Sequence, residues 1–149
     1  MTGARREDVE SIEAIVGAFY DTLSGPAGPR DWDRLRNLGA PTARMMPGRP
    51  QEDGSHSLQV FDMEGYIASR TPFFLENSFY EEEVACRVER FGNIAHAWST
   101  YEARHTPDGE VFMRGINSIQ LYFDGDRWWT MGVIWDIERP GTPIPPEYG

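Results

Sequence analysis

Three tight-turn signals in the second half of the chain constrain its fold more than any other feature. Gly92-Asn93, Pro107-Asp108-Gly109 and Asp124-Gly125 separate stretches, at about 79–91, 94–105, 111–123 and 127–138, in which apolar and polar residues alternate with a period of two. Such alternation marks a strand with one face in a core, and these short sequences supply the conformations that hairpin turns need. The second half is therefore predicted to be four long antiparallel strands.

Turn chemistry also sets register, and a slip of one residue would move every side chain to the opposite face. A two-residue Gly92-Asn93 turn pairs Phe91 with Ile94. Val84, Cys86 and Val88 then share a face with Ala95, Ala97 and Ser99, while Glu83, Arg87 and Glu89 share the other with His96, Trp98 and Thr100. The charged set is expected to face solvent. A three-residue loop at Pro107-Asp108-Gly109 keeps this parity, so Met113, Gly115, Asn117, Ile119 and Leu121 join the inner face with Tyr101. Arg114, Ile116, Ser118, Gln120 and Tyr122 face out. The last hairpin allows two registers. A two-residue Asp124-Gly125 turn sends Trp128, Thr130, Ile134 and Asp136 inward; a three-residue loop sends Trp129, Met131, Val133 and Trp135 inward, and this wholly apolar set is the expected one.

The first half has a helical period instead. Val9, Ile12, Val16, Phe19, Tyr20 and Leu23 form one apolar stripe on a helix from about Arg6 to Leu23, which Ser24-Gly25-Pro26 ends through a left-handed glycine cap. Asp31 caps a short second helix carrying Trp32, Leu35 and Leu38, closed by Gly39-Ala40-Pro41. Ala43 to Met46 reads as a short strand stopped by Pro47, and Pro47 to Ser57 as a surface loop. Asp62 caps a third helix through Tyr66 and Ile67, interrupted near Pro72 and resuming as Phe73-Phe74-Leu75. Helices followed by antiparallel strands make an α+β domain over residues 1–138. Residues 139–149 form a Pro-rich extended tail that cannot add a regular strand.

Composition narrows the functional classes. The 149 residues are 40% hydrophobic and 13% aromatic, enough for one packed core. A net charge of -10, from 24 acids against 14 bases, disfavours nucleic acid and anionic membrane surfaces as partners. The single cysteine, Cys86, excludes an internal disulfide and reads as a small core residue beside Val84 and Val88. The stretch from Met1 to Asp8 is polar, and no run is long and apolar enough to span a bilayer, so a cytoplasmic location is expected. His56, His96 and His105 are scattered without metal-ligand spacing, and His96 reads as the cross-strand partner of Glu89. No nucleophile triad, phosphate-cradling loop or cofactor motif is present, so no metal or cofactor is expected and no motif identifies a reaction.

Asn117 is the most informative single residue, because an amide on a dry face must find hydrogen-bond partners. Ser99 lies directly across the hairpin and Tyr101 is on the same face. Asn117 is either a ligand anchor or a structural partner of Ser99. Ala95 and Ala97 leave room for a cavity or for close helix packing. On the outer face Trp98, Ile116 and Tyr122 stand among Arg87, Arg114 and Gln120. An isologous homodimer would cover this aromatic surface and is the expected arrangement; the chain's own tail is the alternative cover.

The element order of three helices, one short strand and three long hairpins resembles the nuclear-transport-factor-2-like (NTF2-like) superfamily. Phe19-Tyr20-Asp21-Thr22-Leu23, Asp31-Trp32-Asp33-Arg34-Leu35, Ala43-Arg44-Met45-Met46-Pro47 and Asp124-Gly125-Asp126-Arg127-Trp128-Trp129 leading to Trp135-Asp136 resemble its SnoaL-like branch over about residues 7–138. The resemblance implies a cone-shaped barrel, with a strongly curved sheet packed on three N-terminal helices, a pocket between them and dimerisation through the outer face. The superfamily's functions range from isomerases, dehydratases, epoxide hydrolases and cyclases to proteins without chemistry, so the fold does not choose among them. The tyrosine and two acids of the steroid-isomerase branch would fall on Phe19, Pro47 and Ile119, none of which can act. The Asp-Arg-Asp set of the epoxide-hydrolase branch has no inward counterpart. The expected site is a mostly apolar pocket lined by Tyr20, Trp32, Ser99, Tyr101, Asn117 and Trp135, with its catalytic residues unassigned. It would hold a small molecule. Alternatively the domain is a cofactor-independent lyase, isomerase or cyclase on an apolar or polyketide-like substrate, in which Tyr101 and Asn117 polarise a carbonyl and Asp136 is the base if the two-residue turn holds. A third reading is a non-catalytic structural dimer.

Overall fold

The computed structural model describes residues 3–149; Met1 and Thr2, at the head of the polar N-terminal stretch, lie outside the described residues. The predicted first helix is two. α1 (Arg6–Val9) and α2 (Ile12–Leu23) are separated at Ser11, whose extended backbone and side-chain oxygen, accepting from the Ala14 amide at 3.0 Å, start a new helix. α2 ends at Ser24 in an extended conformation rather than on a left-handed glycine, because Gly25 exchanges backbone hydrogen bonds with Phe79. α3 (Trp32–Leu38) and α4 (Met63–Glu76) are capped as expected by Asp31 and Asp62. α4 runs through Pro72 without interruption, which leaves the Ala68 carbonyl without its usual amide donor.

The sheet comprises β1 (Gly39–Pro50), β2 (His56–Leu58), β3 (Phe61–Asp62), β4 (Tyr80–Phe91), β5 (Ile94–Arg104), β6 (Val111–Phe123) and β7 (Trp128–Ile137). Its order is β2-β1-β7-β6-β5-β4, with β3 also pairing β1. Pro47 does not stop β1, and the predicted surface loop is the end of that strand plus its β2 hairpin. β1 runs parallel to β7, and its pairing with Trp135 at Pro47 forms part of that ladder. Helices and inner sheet face enclose a core in which Ile15, Leu35, Leu38, Met45, Phe74, Tyr101 and Val133 are essentially solvent-free.

The β5–β6 register has the expected parity. Ala95, Ala97, Ser99, Tyr101 and Ala103 pair with Leu121, Ile119, Asn117, Gly115 and Met113 on the inner face. Two other registers depart from expectation, each at a bulge. In β4 the pairing slips between Glu83 and Ala85, so Cys86 and Val88 do share a face with Ser99 and Ala97, but Glu81 and Glu83 lie opposite Ala103 and Tyr101 and face inward. In β7 the slip occurs beside Leu121, so Trp128 and Thr130 are inside at one end of the strand and Val133 and Trp135 at the other, while Trp129 and Met131 turn outward. Each of the two expected registers is thus correct for half the strand.

Cys86 is exposed rather than a core residue: it lines an open cleft between α2 and β4. His96 is the register partner of Glu89, yet its ring is hydrogen-bonded to Gln120 at 2.9 Å. The tail makes no strand; it ends in a short 3₁₀ turn, Pro146–Tyr148, lying on the outer sheet face with the Tyr148 ring 6.0 Å from that of Trp98.

Candidate functional site

A cavity of about 340 Å³ lies between the inner sheet face, α2 and α4. Its wall is aromatic. Phe73, Phe74 and Phe79 form mutual edge contacts at 5.5–6.0 Å, Phe112 extends the cluster from β6, and Tyr66 meets Trp135 edge-on at 5.9 Å. The Arg70 guanidinium lies over the Phe73 ring at 4.5 Å, near the mouth.

Few polar groups interrupt this wall. Tyr66 and Tyr101 are buried, and burial, the largest influence on each, raises both hydroxyls above the ordinary tyrosine range; they stay neutral donors at any physiological pH. Gly115 makes room for Tyr101: a Cβ there would lie 2.5 Å from the Tyr101 hydroxyl. Glu81, turned inward by the β4 bulge, lines both the cavity and a more open cleft between α2 and β4. Its carboxyl has no hydrogen-bond partner among the described residues, and desolvation by the surrounding protein pushes it up to about 8, against an opposing pull from the Arg70 charge. A carboxyl poised near neutrality beside a cavity has the protonation behaviour of a general acid or base.

Asn117 reaches the cavity from β6, with a polar chain behind it. Its Nδ2 donates to the Tyr20 hydroxyl at 3.0 Å, that hydroxyl is 2.6 Å from Ser99 Oγ, and Ser99 Oγ donates to Glu83 Oε2 in a very short hydrogen bond. Asn117 therefore turns its amide nitrogen back toward Tyr20 rather than offering it to a ligand carbonyl.

The six residues expected at the site divide into three groups. Tyr101, Asn117 and Trp135 line the cavity. Tyr20 and Ser99 stand behind Asn117 as its hydrogen-bond support. Trp32 is outside, packed on the Phe74 ring at 5.8 Å, which separates it from the cavity. Asp136 is exposed, bonded to the Ile137 amide and to Arg139, and cannot act as a cavity base. Sequence reasoning missed Glu81, Arg70 and Tyr66. The Glu81-Glu82-Glu83 run was the available signal for the first, since three consecutive acids on an alternating strand must place at least one inward. Among the described residues no cluster of three or more His, Cys, Asp or Glu side chains could hold a metal ion, and no helix is long and apolar enough to cross a membrane.

The same arrangement of helices and curved sheet recurs in solved structures. A protein of unknown function from Pseudomonas putida, described as NTF2-like, superposes with a TM-score of 0.64 at 12% identity over 84% of this chain and 82% of its own. The chain has the NTF2-like fold. A Streptomyces avermitilis protein of the NTF2-like family, provisionally named a dehydratase, matches with a TM-score of 0.63 at 13% identity, covering 87% of this chain and 95% of that one. A Nostoc punctiforme protein of unknown function, described as having a cystatin-like fold, matches with a TM-score of 0.66 at 9% identity over 85% and 88%. No protein-family model matches the sequence, and no curated protein does. At these identities the NTF2-like likeness speaks for the fold alone, and the cavity has to be read from its own residues.

Proposed function

We propose that this NTF2-like chain is a cytoplasmic small-molecule-binding domain of the SnoaL-like kind, and that it moves a proton on a mostly apolar, aromatic ligand without a cofactor. The observation that carries this reading is the place of Glu81: a half-buried, inward carboxyl without a hydrogen-bond partner on the wall of an aromatic cavity, where desolvation raises its pKa. A merely structural interior would gain stability by filling that position with an apolar side chain.

The chemistry follows from the groups present. In its ionised form Glu81 takes a proton from the carbon next to a ligand carbonyl, and the C–H electron pair becomes an enolate. A neutral Tyr101 or Tyr66 hydroxyl hydrogen-bonds the enolate oxygen. Glu81 then returns the proton to the same or another carbon, or the enolate expels a leaving group; the class is isomerase, lyase or cyclase. Deuterium uptake by 2-tetralone, a bicyclic enolisable ketone, tests the first step by proton NMR in D2O. Wild type should accelerate the loss of the α-proton signal, and Glu81→Gln should reduce that acceleration by about 100-fold or more. Equal exchange by the two proteins removes Glu81 from the reaction. A wild type that binds without exchange leaves a binding module, and one that does neither removes the cavity reading.

A second reading concerns assembly. The outer face carries a groove of about 720 Å³ walled by Leu58, Trp98, Ile116, Ile134, Ile144 and Pro145. Tyr122, Ile134 and Leu58 are each about half exposed (41%, 40% and 50%), so the tail covers only part of the apolar surface. A homodimer through Trp98, Ile116 and Tyr122 would bury the remainder.

A further inference from the structure

Glu83, Ser99, Tyr20 and Asn117 form a hydrogen-bonded chain from β4 to the cavity wall, and proton counting gives it one direction. The Glu83 carboxylate can only accept, so Ser99 gives it its single hydroxyl hydrogen. In the 2.6 Å contact between Ser99 and Tyr20, Tyr20 must then be the donor, which uses its own single hydrogen. Tyr20 can therefore only accept from Asn117, and the group it meets is Nδ2 at 3.0 Å. Turning the amide over would bring Oδ1 to an oxygen with no hydrogen left to give, at a position almost closed to solvent.

The other end of the amide is thereby fixed as well. Asn117 Oδ1 has no partner among the described residues and is not one of the sealed, unpartnered atoms, while Asn117 lines the cavity. The cavity thus meets a hydrogen-bond acceptor at that point of its wall, in addition to the Glu81 carboxyl and the Tyr66 and Tyr101 hydroxyls. We infer that Glu83 is a positioning residue that, acting through Ser99 and Tyr20, fixes the Asn117 amide with its oxygen toward the cavity, and that the site takes aromatic ligands bearing an O–H or N–H donor in preference to their methylated counterparts. This deepens the cavity-binding reading and rests on it. Glutamine at position 83 can donate as well as accept, so Glu83→Gln frees every hydroxyl in the chain to reverse and lets the amide turn.

Calorimetric titration with 2-naphthol and 2-methoxynaphthalene on wild type, Glu83→Gln and Asn117→Leu tests the preference. Wild type should favour the naphthol by about tenfold, a single hydrogen bond's worth. The ratio should shrink in Glu83→Gln and vanish in Asn117→Leu, with the methoxy compound still bound. Ser99→Ala cuts the chain at its second link and should shrink the ratio in the same way, which provides an independent variant if Glu83→Gln does not fold. In the unliganded wild type, nitrogen-edited NMR should show a cross-relaxation peak between the Asn117 side-chain NH2 and the Tyr20 ring. Equal binding of the two compounds, a preference for the ether, or a ratio untouched in both variants overturns the inference while leaving the cavity a binding site. Absence of the amide-to-Tyr20 peak overturns it in the folded protein without any ligand. Failure of both compounds to bind wild type overturns the cavity reading and the preference together.

Discussion

Ser99 on β5 and Asn117 on β6 are direct cross-strand partners, and the Tyr20 hydroxyl from α2 bonds to both, at 2.6 Å and 3.0 Å. One helix side chain thus joins two strands of the inner face through polar atoms in a mostly apolar core. All three residues are at most 5% exposed, so none can exchange its partner for bulk water.

Tyr20→Phe deletes the shared oxygen and leaves Ser99 and Asn117 each short of a partner. The expected loss is about 1–3 kcal/mol in urea unfolding, with an unchanged denaturant slope. A loss as small as that of an ordinary surface substitution would mean that water or a rearranged Asn117 replaces the hydroxyl.

Much of this arrangement was legible in the sequence. The Gly92-Asn93 and Pro107-Asp108-Gly109 turns set the inner parity from Ala95 to Leu121 and placed Ser99 opposite Asn117. What escaped it came from bulges, which add one residue to a strand without any periodic signal. The β4 slip hid Glu81 and Glu83, because charged residues read in phase with Arg87 and Glu89 belong to solvent. The β7 slip split a choice between two registers into both. The extension of β1 past Pro47 also escaped, since proline can sit in a ladder where its missing N–H is not called upon.

The pH dependence of stability should carry the signature of Glu81. Folding raises its pKa to about 8 from a reference value of 4.5, so between those values the native state holds a proton that the unfolded state has released. Stability from this group is complete below the lower value, falls as pH rises through the window, and is flat above it. Subtracting the Glu81→Gln profile from that of wild type isolates this slope from the opposite one of salt-bridged acids such as Asp8. The variant should gain on wild type between pH 4 and pH 9, by up to about 5 kcal/mol for a shift of that size. A flat difference curve contradicts the burial argument.

Gly115→Ala tests how tightly Tyr101 is seated. The added Cβ would lie 2.5 Å from the Tyr101 hydroxyl and 2.6 Å from the Asp136 carbonyl, and the second contact is backbone that cannot swing away. A loss of about 1–3 kcal/mol is expected in thermal or urea unfolding. Adding Tyr101→Phe should not restore it, because the carbonyl clash remains.

Trp98→Glu addresses assembly. If the outer faces pair, sedimentation equilibrium should find wild type dimeric and the variant monomeric at the same concentration, since a buried unpaired charge is costly at such an interface. A dimer that survives the substitution would place the contact elsewhere.

The carboxyl of Glu81 carries the functional account, and carbon-13 NMR of its side-chain carboxyl across a pH titration observes it directly. The predicted curve has a midpoint near 8, so that the group is largely protonated at pH 7. A midpoint near the reference value of 4.5 would show an ordinary solvated carboxylate and would contradict the proposal of an acid–base site in this cavity.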